Sequence, residues 1–537
     1  MRFKLFAAAA SLAFTTAALA AEPSFTAERF RSHVAFLADD RLEGRDAGSR
    51  GYDLAALYVA TRFEGLGLKP VGGNGWYQQV PFLKHRLKEG SARVTIGGRS
   101  FAQVREVLVS PSPTAGAEAV EAPVVFAGYG LESPALRLDD YKGLDVRGKI
   151  VAVFGGSPRG LPSDVAAHLN SEKRRIAAAK GAIGIIMLRS AEESARRPFA
   201  RLVESAGEPA LAWLGTDNQP YSASPGIRAR ATLDTAAATA LFAGAPRSFA
   251  QVRAEAARAG PGPRGFALKQ TVRIEQESDV ERITSPNVLA VLPGSDPALA
   301  GEYVLLMAHL DGVGMHGEGE DKIHNGAMDN ATGIATMLEV ARAMVESGDR
   351  PRRPILFAAV TAEEKGLLGA QYLARNPVLK DGKVVGVVNL DMPVLLYDFQ
   401  DVIAFGAEHS TMGPIVERAA GRIGIKLTPD PLPQEGLFTR SDHYRFVQEG
   451  IPAVFLMTGF ANGGQEKFTG FLATDYHKPT DDMKLPFDWN AGAKFARINY
   501  LIASEIANAP EAPRWYGDSF FGNTLAPGAQ KAQRQVR

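Results

Sequence analysis

The sequence predicts an α/β protein: a mostly parallel, twisted sheet flanked by helices, with a smaller α/β module inserted before it. Three observations carry this. Strand-like and helix-like patterns alternate across 281–508. A shorter alternation of the same kind runs through 118–265. Four of five short blocks of acids and histidines fall directly or soon after strand-like runs. Alternation of this type favours parallel strands joined by crossover helices that cover both faces of a sheet. In such sheets reactive groups gather beyond the carboxyl ends of the strands.

A chain of 537 residues is too long for one ordinary core. With 45% apolar and 22% charged residues, the composition is that of a globular protein. Lys and Arg total 60 against 59 acids, so no global charge argues for nucleic acid or an anionic membrane. The absence of cysteine excludes disulfides, thiolate zinc sites and a lipid-bearing cysteine. Residues 1–20 read as a secretory signal, with Arg2 and Lys4, an apolar run, and an Ala18-Leu19-Ala20 cleavage site. The run is short for a stable membrane span, which needs roughly 20 apolar residues. The expectation is an exported protein, periplasmic or secreted.

Taken in order, 24–117 opens with a helical pattern through Phe30, Val34 and Leu37. Leu42-Glu43-Gly44-Arg45 and a glycine-rich turn follow, and Arg45 reads as a structural turn residue. A helix over 52–66 is stopped by Gly67-Leu68-Lys69-Pro70. Within 118–265, strands are expected at 124–127, 149–154 and 183–188, with a helix over 172–180. His168 is the one histidine of this module, and no ligand cluster accompanies it. Residues 236–270 read as a helix plus linker. In 281–508, strands are expected at 287–292, 303–308, 355–360, 384–390 and 453–457. Ile334, Met337, Leu338, Ala341 and Val345 recur at helical spacing, and Phe495, Ile498, Leu501 and Ile502 mark a closing helix. The polar tail, 511–537, is expected to be loosely ordered.

The blocks are His309-Leu310-Asp311, Asp329-Asn330, Glu363-Glu364, Asp391 and His477. Each alone has a plain structural explanation, such as a core histidine, a helix cap, an acidic turn or a surface loop. Together, two histidines, two aspartates and one glutamate suit a pair of Zn²⁺ ions with one carboxylate between them. Asp329 suits that bridging place, at the start of an amphipathic helix. Adjacent Glu363 and Glu364 after a buried strand need neutralising. One would bind metal and the other would serve as base. Asp311 is placed to accept the far ring N–H of His309. No H-E-x-x-H helix and no G-x-S-x-G elbow occurs.

This series resembles the co-catalytic dizinc exopeptidase family, which includes bacterial leucyl-type aminopeptidases and glutamate carboxypeptidase relatives. Asn389-Leu390-Asp391-Met392, Ser441-Asp442-His443, Leu42-Glu43-Gly44-Arg45 and Gly67-Leu68-Lys69-Pro70 are also similar to stretches of it. The 118–265 insert resembles a protease-associated domain. The resemblance implies one zinc ion held by His309, Asp329 and Asp391, and a second held by Asp329, Glu364 and His477. It implies Glu363 as general base acting on a water between the metals, and Asp311 as partner of His309. It implies peptide substrates and an aminopeptidase. A carboxypeptidase, a glutaminyl cyclase-like acyltransferase and a binding protein that lost catalysis are the other readings. His316 and His324, in the glycine-rich loop between His309 and Asp329, are candidate substrate contacts. Arg440 is a candidate for holding a substrate carboxylate. Nothing in the sequence decides oligomeric state.

Overall fold

The computed structural model describes residues 22–534 apart from 205 and 349. The expected signal over 1–20 lies outside the described residues. No helix among them is long and apolar enough to cross a membrane.

The half that carries the five blocks is organised by a sheet whose strands read as near-continuous apolar runs. Ile355–Val360, Glu302–His309, Lys383–Leu390 and Ala453–Thr458 lie side by side in parallel. Asp401–Phe405 runs antiparallel to the last of these, with Lys426–Thr428 beside it. Every residue of Ile355–Val360 and Ala453–Thr458 is buried, so both faces are covered, as parallel strands require. The helices Ala27–Leu37, Thr332–Glu346 and Trp489–Asn508 pack on one another and on the central strands. Asp488 caps the last of them, its side chain accepting from the Ala491 amide at 3.0 Å.

The opposite edge differs from expectation. A single strand, Phe266–Leu292, runs where a linker and a short strand were expected. Its last residues pair antiparallel with Ile355–Val360, its middle with Tyr77–Leu87, and its first half with Gly116–Phe126 and Arg93–Ile96. Burial alternates along its first half and becomes continuous from Ser285 onward. One strand therefore passes from a sheet with one wet face into a sheet buried on both. The charged stretch around Glu275–Arg282 hid this continuity in the sequence.

The 118–265 segment does form the expected α/β pattern. Gly116–Phe126, Ile150–Phe154, Gly184–Leu188 and Ala229–Leu233 lie in parallel order, and the helix Ser163–Ala179 follows Ile150–Phe154. Val125, Val151, Val153, Ile176 and Ile185 share a small core. No separate inserted domain is evident, however. The segment's strands belong to the same hydrogen-bonded sheet as the strands that carry the five blocks, through Phe266–Leu292.

The tail also departs from expectation over its described part. Trp515 is 1% exposed and donates its indole N–H to the Gly450 carbonyl at 2.7 Å. The helix Phe520–Leu525 places buried Phe521 beside His409 and Phe438. Two aromatics with no periodic context read as a polar tail in sequence, yet they supply its anchor. Trp515→Ala should therefore cost about 3–5 kcal/mol of stability, the usual range for emptying a buried aromatic site. Denaturant unfolding would measure it. A loss below about 1 kcal/mol would show that the tail is not part of the cooperative fold.

Candidate functional site

Each of the five blocks lies where a strand or helix ends against the same space. His309 is the last residue of its strand, and Asp391 directly follows Lys383–Leu390. Glu363 and Glu364 follow Ile355–Val360 by a short turn, and Asp329 lies just before Thr332–Glu346. His477 comes from the loop after Gly464–Thr474. Gly333 lets the helix begin hard against the Asp391 strand. A Cβ there would stand 2.3 Å from the Asn330 side-chain oxygen and 2.5 Å from the Leu390 carbonyl. Asn330 joins the two, accepting from the Gly333 and Met392 amides and donating to the Leu390 carbonyl.

The donor atoms fall into two groups that share Asp329. Its Oδ1 lies 3.2 Å from His309 Nε2, and its Oδ2 lies 3.3 Å from His477 Nε2. Asp391 Oδ1 completes the first group at 3.3 Å from His309 Nε2. Glu364 Oε2 completes the second at 3.1 Å from His477 Nε2. Within each group the ligand atoms lie within 4.8 Å of one another. The nitrogen and oxygen donor set suits zinc, and the divided carboxylate suits two ions. Charge points the same way. Asp311, Asp329, Asp442 and Asp481 are buried, with Glu363, Glu364 and Asp391 beside them, and the cations facing them include His309, His477 and buried Arg45. Two carboxylates about 4 Å apart repel by about 4 kcal/mol at an effective dielectric of 20. Divalent cations would offset that repulsion. A further group, Asp164, Glu408 and His409, lies apart from these blocks, with Glu408 exposed.

Asp311 takes a different part from the one expected. His309 Nδ1 meets the Asp311 main-chain carbonyl at 3.1 Å, while the carboxylate is 3.9 Å away. That carboxylate instead accepts the backbone amides of Glu363 at 3.0 Å and Glu364 at 3.2 Å. The carbonyl reaches the ring because the chain turns immediately after the strand, which frees the side chain to hold the glutamate pair. His324 is 6% exposed, stacks on His316, and meets the His477 carbonyl at 3.1 Å through Nδ1. It supports the loop of His477. Arg440 is half exposed and pairs loosely with Glu435 at 3.7 Å.

Sequence reasoning gave no role to several supporting residues. Asp481 accepts the amides of Met328 at 2.7 Å and Asp329 at 3.0 Å, so it sets the backbone of the shared ligand. Ser441 donates to Asp391 Oδ2 at 2.6 Å and accepts from Asn389. Arg45, read as a turn residue, is fully buried. It donates to the carbonyls of Leu310 at 2.9 Å, Asn325 at 2.6 Å and Gly326 at 3.1 Å. One guanidinium thereby ties the loop after His309 to the loop before Asp329. The Ser441-Asp442-His443 and Leu42-Glu43-Gly44-Arg45 stretches carried a signal only as part of the family resemblance, which gave Ser441 and Arg45 no contact. Arg45 and Asp481 act through main-chain contacts that no spacing reveals.

Without metal, Asp311, Asp481 and His477 titrate with one sign; Asp329 differs, because hydrogen bonds from His309 and His477 outweigh its burial and hold it below the ordinary carboxylate range, so its contribution is lost only in acid. Burial pushes the Asp311 and Asp481 carboxyls up to about 7. Burial opposes charge on His477, but hydrogen bonds to Asp329 and Glu364 outweigh it and push the imidazole up to about 10. An acid raised in the fold stabilises it below the ordinary carboxylate range and loses that contribution as pH rises to about 7. A raised histidine contributes fully below its ordinary value and loses that contribution as pH climbs through about 10. Metal binding needs the same groups deprotonated and strengthens with pH. Chelated protein should lose thermal stability from about pH 5 to about pH 9, widening its gap from zinc-loaded protein. Calorimetric scans with and without chelator test this. A gap that stays constant with pH would contradict the ligand set.

An α/β sheet carrying two histidine–carboxylate groups joined by one aspartate defines a candidate two-metal centre, consistent with a pair of zinc ions. Residues 287–503, which include all five blocks, match peptidase family M28. The chain is 31% identical over 180 residues to leupeptin-inactivating enzyme 1 of Streptomyces exfoliatus, covering 33% of this chain and 36% of that protein. It is 30% identical over 230 residues to a probable leucine aminopeptidase 2 of Aspergillus fumigatus, covering 40% of this chain and 42% of that one. The matched stretches thus span less than half of these curated relatives. Among solved structures, an aminopeptidase from Aneurinibacillus sp. strain AM-1 superposes with a TM-score of 0.51 at 20% identity, over 91% of this chain and 95% of that one. That likeness establishes the shared fold.

Proposed function

We propose that the protein is an exported, zinc-dependent aminopeptidase that hydrolyses N-terminal residues from peptides. The observation that carries the reading is Glu363. Among the carboxylates of the site it is partly exposed and makes no side-chain hydrogen bond or ion pair among the described residues, yet its oxygen lies within 4.8 Å of ligand atoms of His309 and Glu364. Asp442 also lacks a hydrogen-bond partner among the described residues, but it is fully buried. Desolvation, then the like charges of Glu364, Asp442 and Asp391, push the Glu363 carboxyl well above its ordinary range, with His309 opposing. A carboxylate raised in this way holds a proton more readily than a free one, as a group that takes a proton and passes it on must.

His309, Asp329 and Asp391 would hold one zinc ion, and Asp329, Glu364 and His477 the other. The pair supplies polarisation of the scissile carbonyl, a more acidic water and stabilisation of developing negative charge. Glu363 takes a proton from the attacking water and returns it to the departing amine. Asp311 keeps Glu363 and Glu364 in register through their amides, and Ser441 orients Asp391. The names of the relatives favour an aminopeptidase. Arg440 supports a second reading, a glutamate carboxypeptidase-like exopeptidase. Its charge reaches Tyr476, which stacks on His477, and its loose pairing leaves it available to a substrate carboxylate.

Digestion of a peptide pool by zinc-supplemented protein separates the readings, with half the peptides blocked at the N-terminus and products weighed by mass spectrometry. Stepwise loss from free N-termini alone is expected. Trimming from C-termini regardless of blocking would replace this reading with the second. No cleavage of either kind would reject both and leave a cyclase or a binding protein.

A further inference from the structure

Away from the metal groups, a cavity of about 280 Å³ opens between the helix Ser163–Ala179 and the strands Gly184–Leu188 and Ala229–Leu233. Its polar lining includes Arg174, Arg230, Lys173, Ser110, Asn170 and Thr232, and it contains no acidic side chain. That is unusual for a pocket with so much positive charge. Guanidinium groups packed together ordinarily have carboxylates between them, because each costs desolvation energy and they repel one another.

The partners of these residues are accounted for elsewhere or missing. Arg174 makes no hydrogen bond, ion pair or ring contact among the described residues. Glu172, the nearest acid in sequence, is taken by Arg175. Arg230 donates to the Pro111 carbonyl at 3.0 Å and pairs with no acid. Lys173 is buried, with Nζ on the Phe154 and Gly156 carbonyls, and burial pushes its amine down to about 7, so the two arginines carry the positive charge of the lining. Glu193 and Asp140 act on Lys173 but do not line the cavity. The Ser110 and Thr232 hydroxyls and the Asn170 amide nitrogen have no acceptor among the described residues. Desolvation lowers both guanidiniums, Arg230 to about 10, where the charge of Arg174 adds to the effect. The fold thus holds two guanidiniums and several neutral donors around one space, with no carboxylate in its lining among the described residues.

We infer that Arg174 and Arg230 form an anion-binding pocket, distinct from the metal centre, that accepts one compact carboxylate or phosphate group. The planar fork of arginine matches the spacing of two oxygens on either group, which gives bidentate bonds about twice as strong as neutral ones. The volume is just below the range of drug-sized ligand pockets, so it suits the end of a molecule or a small ion rather than a length of peptide. Two sources share this chemistry: the C-terminal carboxylate of a peptide and free phosphate.

Calorimetric titration of the zinc-loaded full-length protein tests the pocket. The probes are inorganic phosphate, N-acetyl-alanyl-alanine and its C-terminal amide. The parent protein should bind at least one anion, and Arg174→Ala and Arg230→Ala should each weaken that event by about 10-fold or more. Melting temperature and peptide hydrolysis should stay at the parent level in Arg174→Ala, because Arg174 makes no hydrogen bond or ion pair among the described residues. Binding of the free acid but not the amide assigns a peptide C-terminus. Binding of phosphate alone assigns free phosphate. If Arg230→Ala does not fold, Arg174→Lys serves instead, because it keeps charge but loses the fork and should bind with intermediate affinity. Absence of binding by every probe overturns the inference. So does binding of equal strength in parent and variants, which would place the anion at the metal centre.

Discussion

Glu363→Gln should lower turnover by about 10²- to 10⁴-fold, the usual contribution of a positioned acid–base group, and leave both metals in place. The substitution preserves shape and removes the ability to take a proton. It also tests the division of labour between two adjacent glutamates that composition cannot distinguish. Glu364 Oε2 is 3.1 Å from His477 Nε2, whereas Glu363 has no such commitment. The measurement is steady-state kinetics on a chromogenic N-terminal amide, paired with metal analysis after dialysis. Turnover that survives would remove Glu363 from the proton path. Loss of metal along with turnover would make it a ligand and reverse the roles of the pair.

Asp329→Ala should have the larger effect on metal content. One carboxylate serves both groups, with Oδ1 toward His309 and Oδ2 toward His477. Its removal should therefore weaken both ions. The loss should exceed about 100-fold, the upper range for losing a partner that only supports a ligand. Asp391→Ala provides the contrast, because Asp391 faces His309 alone among the two histidines and should weaken one ion while sparing the other. Titration with a zinc-sensitive dye would separate the two classes. Equal behaviour of the two variants would show that Asp329 does not bridge. Retention of two tightly held ions in Asp329→Ala would remove it from the ligand set.

Much of this arrangement was legible in the sequence because its causes are local or compositional. A strand buried on both faces must be written as an apolar run, so Ile355–Val360 and Ala453–Thr458 announce a covered sheet. An acid or histidine placed directly after such a run has no inexpensive burial unless something pairs with it. His309, Glu363, Glu364 and Asp391 could therefore be read as one set, and the structure brings them together with Asp329 and His477.

What the sequence left open was set by contacts between segments far apart in the chain. The part expected of the Asp311 carboxylate falls to its main-chain carbonyl, which meets His309, while the carboxylate accepts the Glu363 amide. Arg45 and Asp481 hold the ligand loops through backbone groups, and backbone groups leave no mark in a residue pattern. Trp515 anchors a tail that is polar on average, since one buried aromatic outweighs many exposed residues that contribute nothing. The strand Phe266–Leu292 joins two expected units into one sheet because backbone pairing tolerates a charged stretch when one face stays wet. The sequence by itself determined the class of fold and the chemical types of the candidate ligands, through hydrophobic period and the cost of burying charge. The tertiary structure decided which atoms share a site, because that depends on loop geometry and long-range packing.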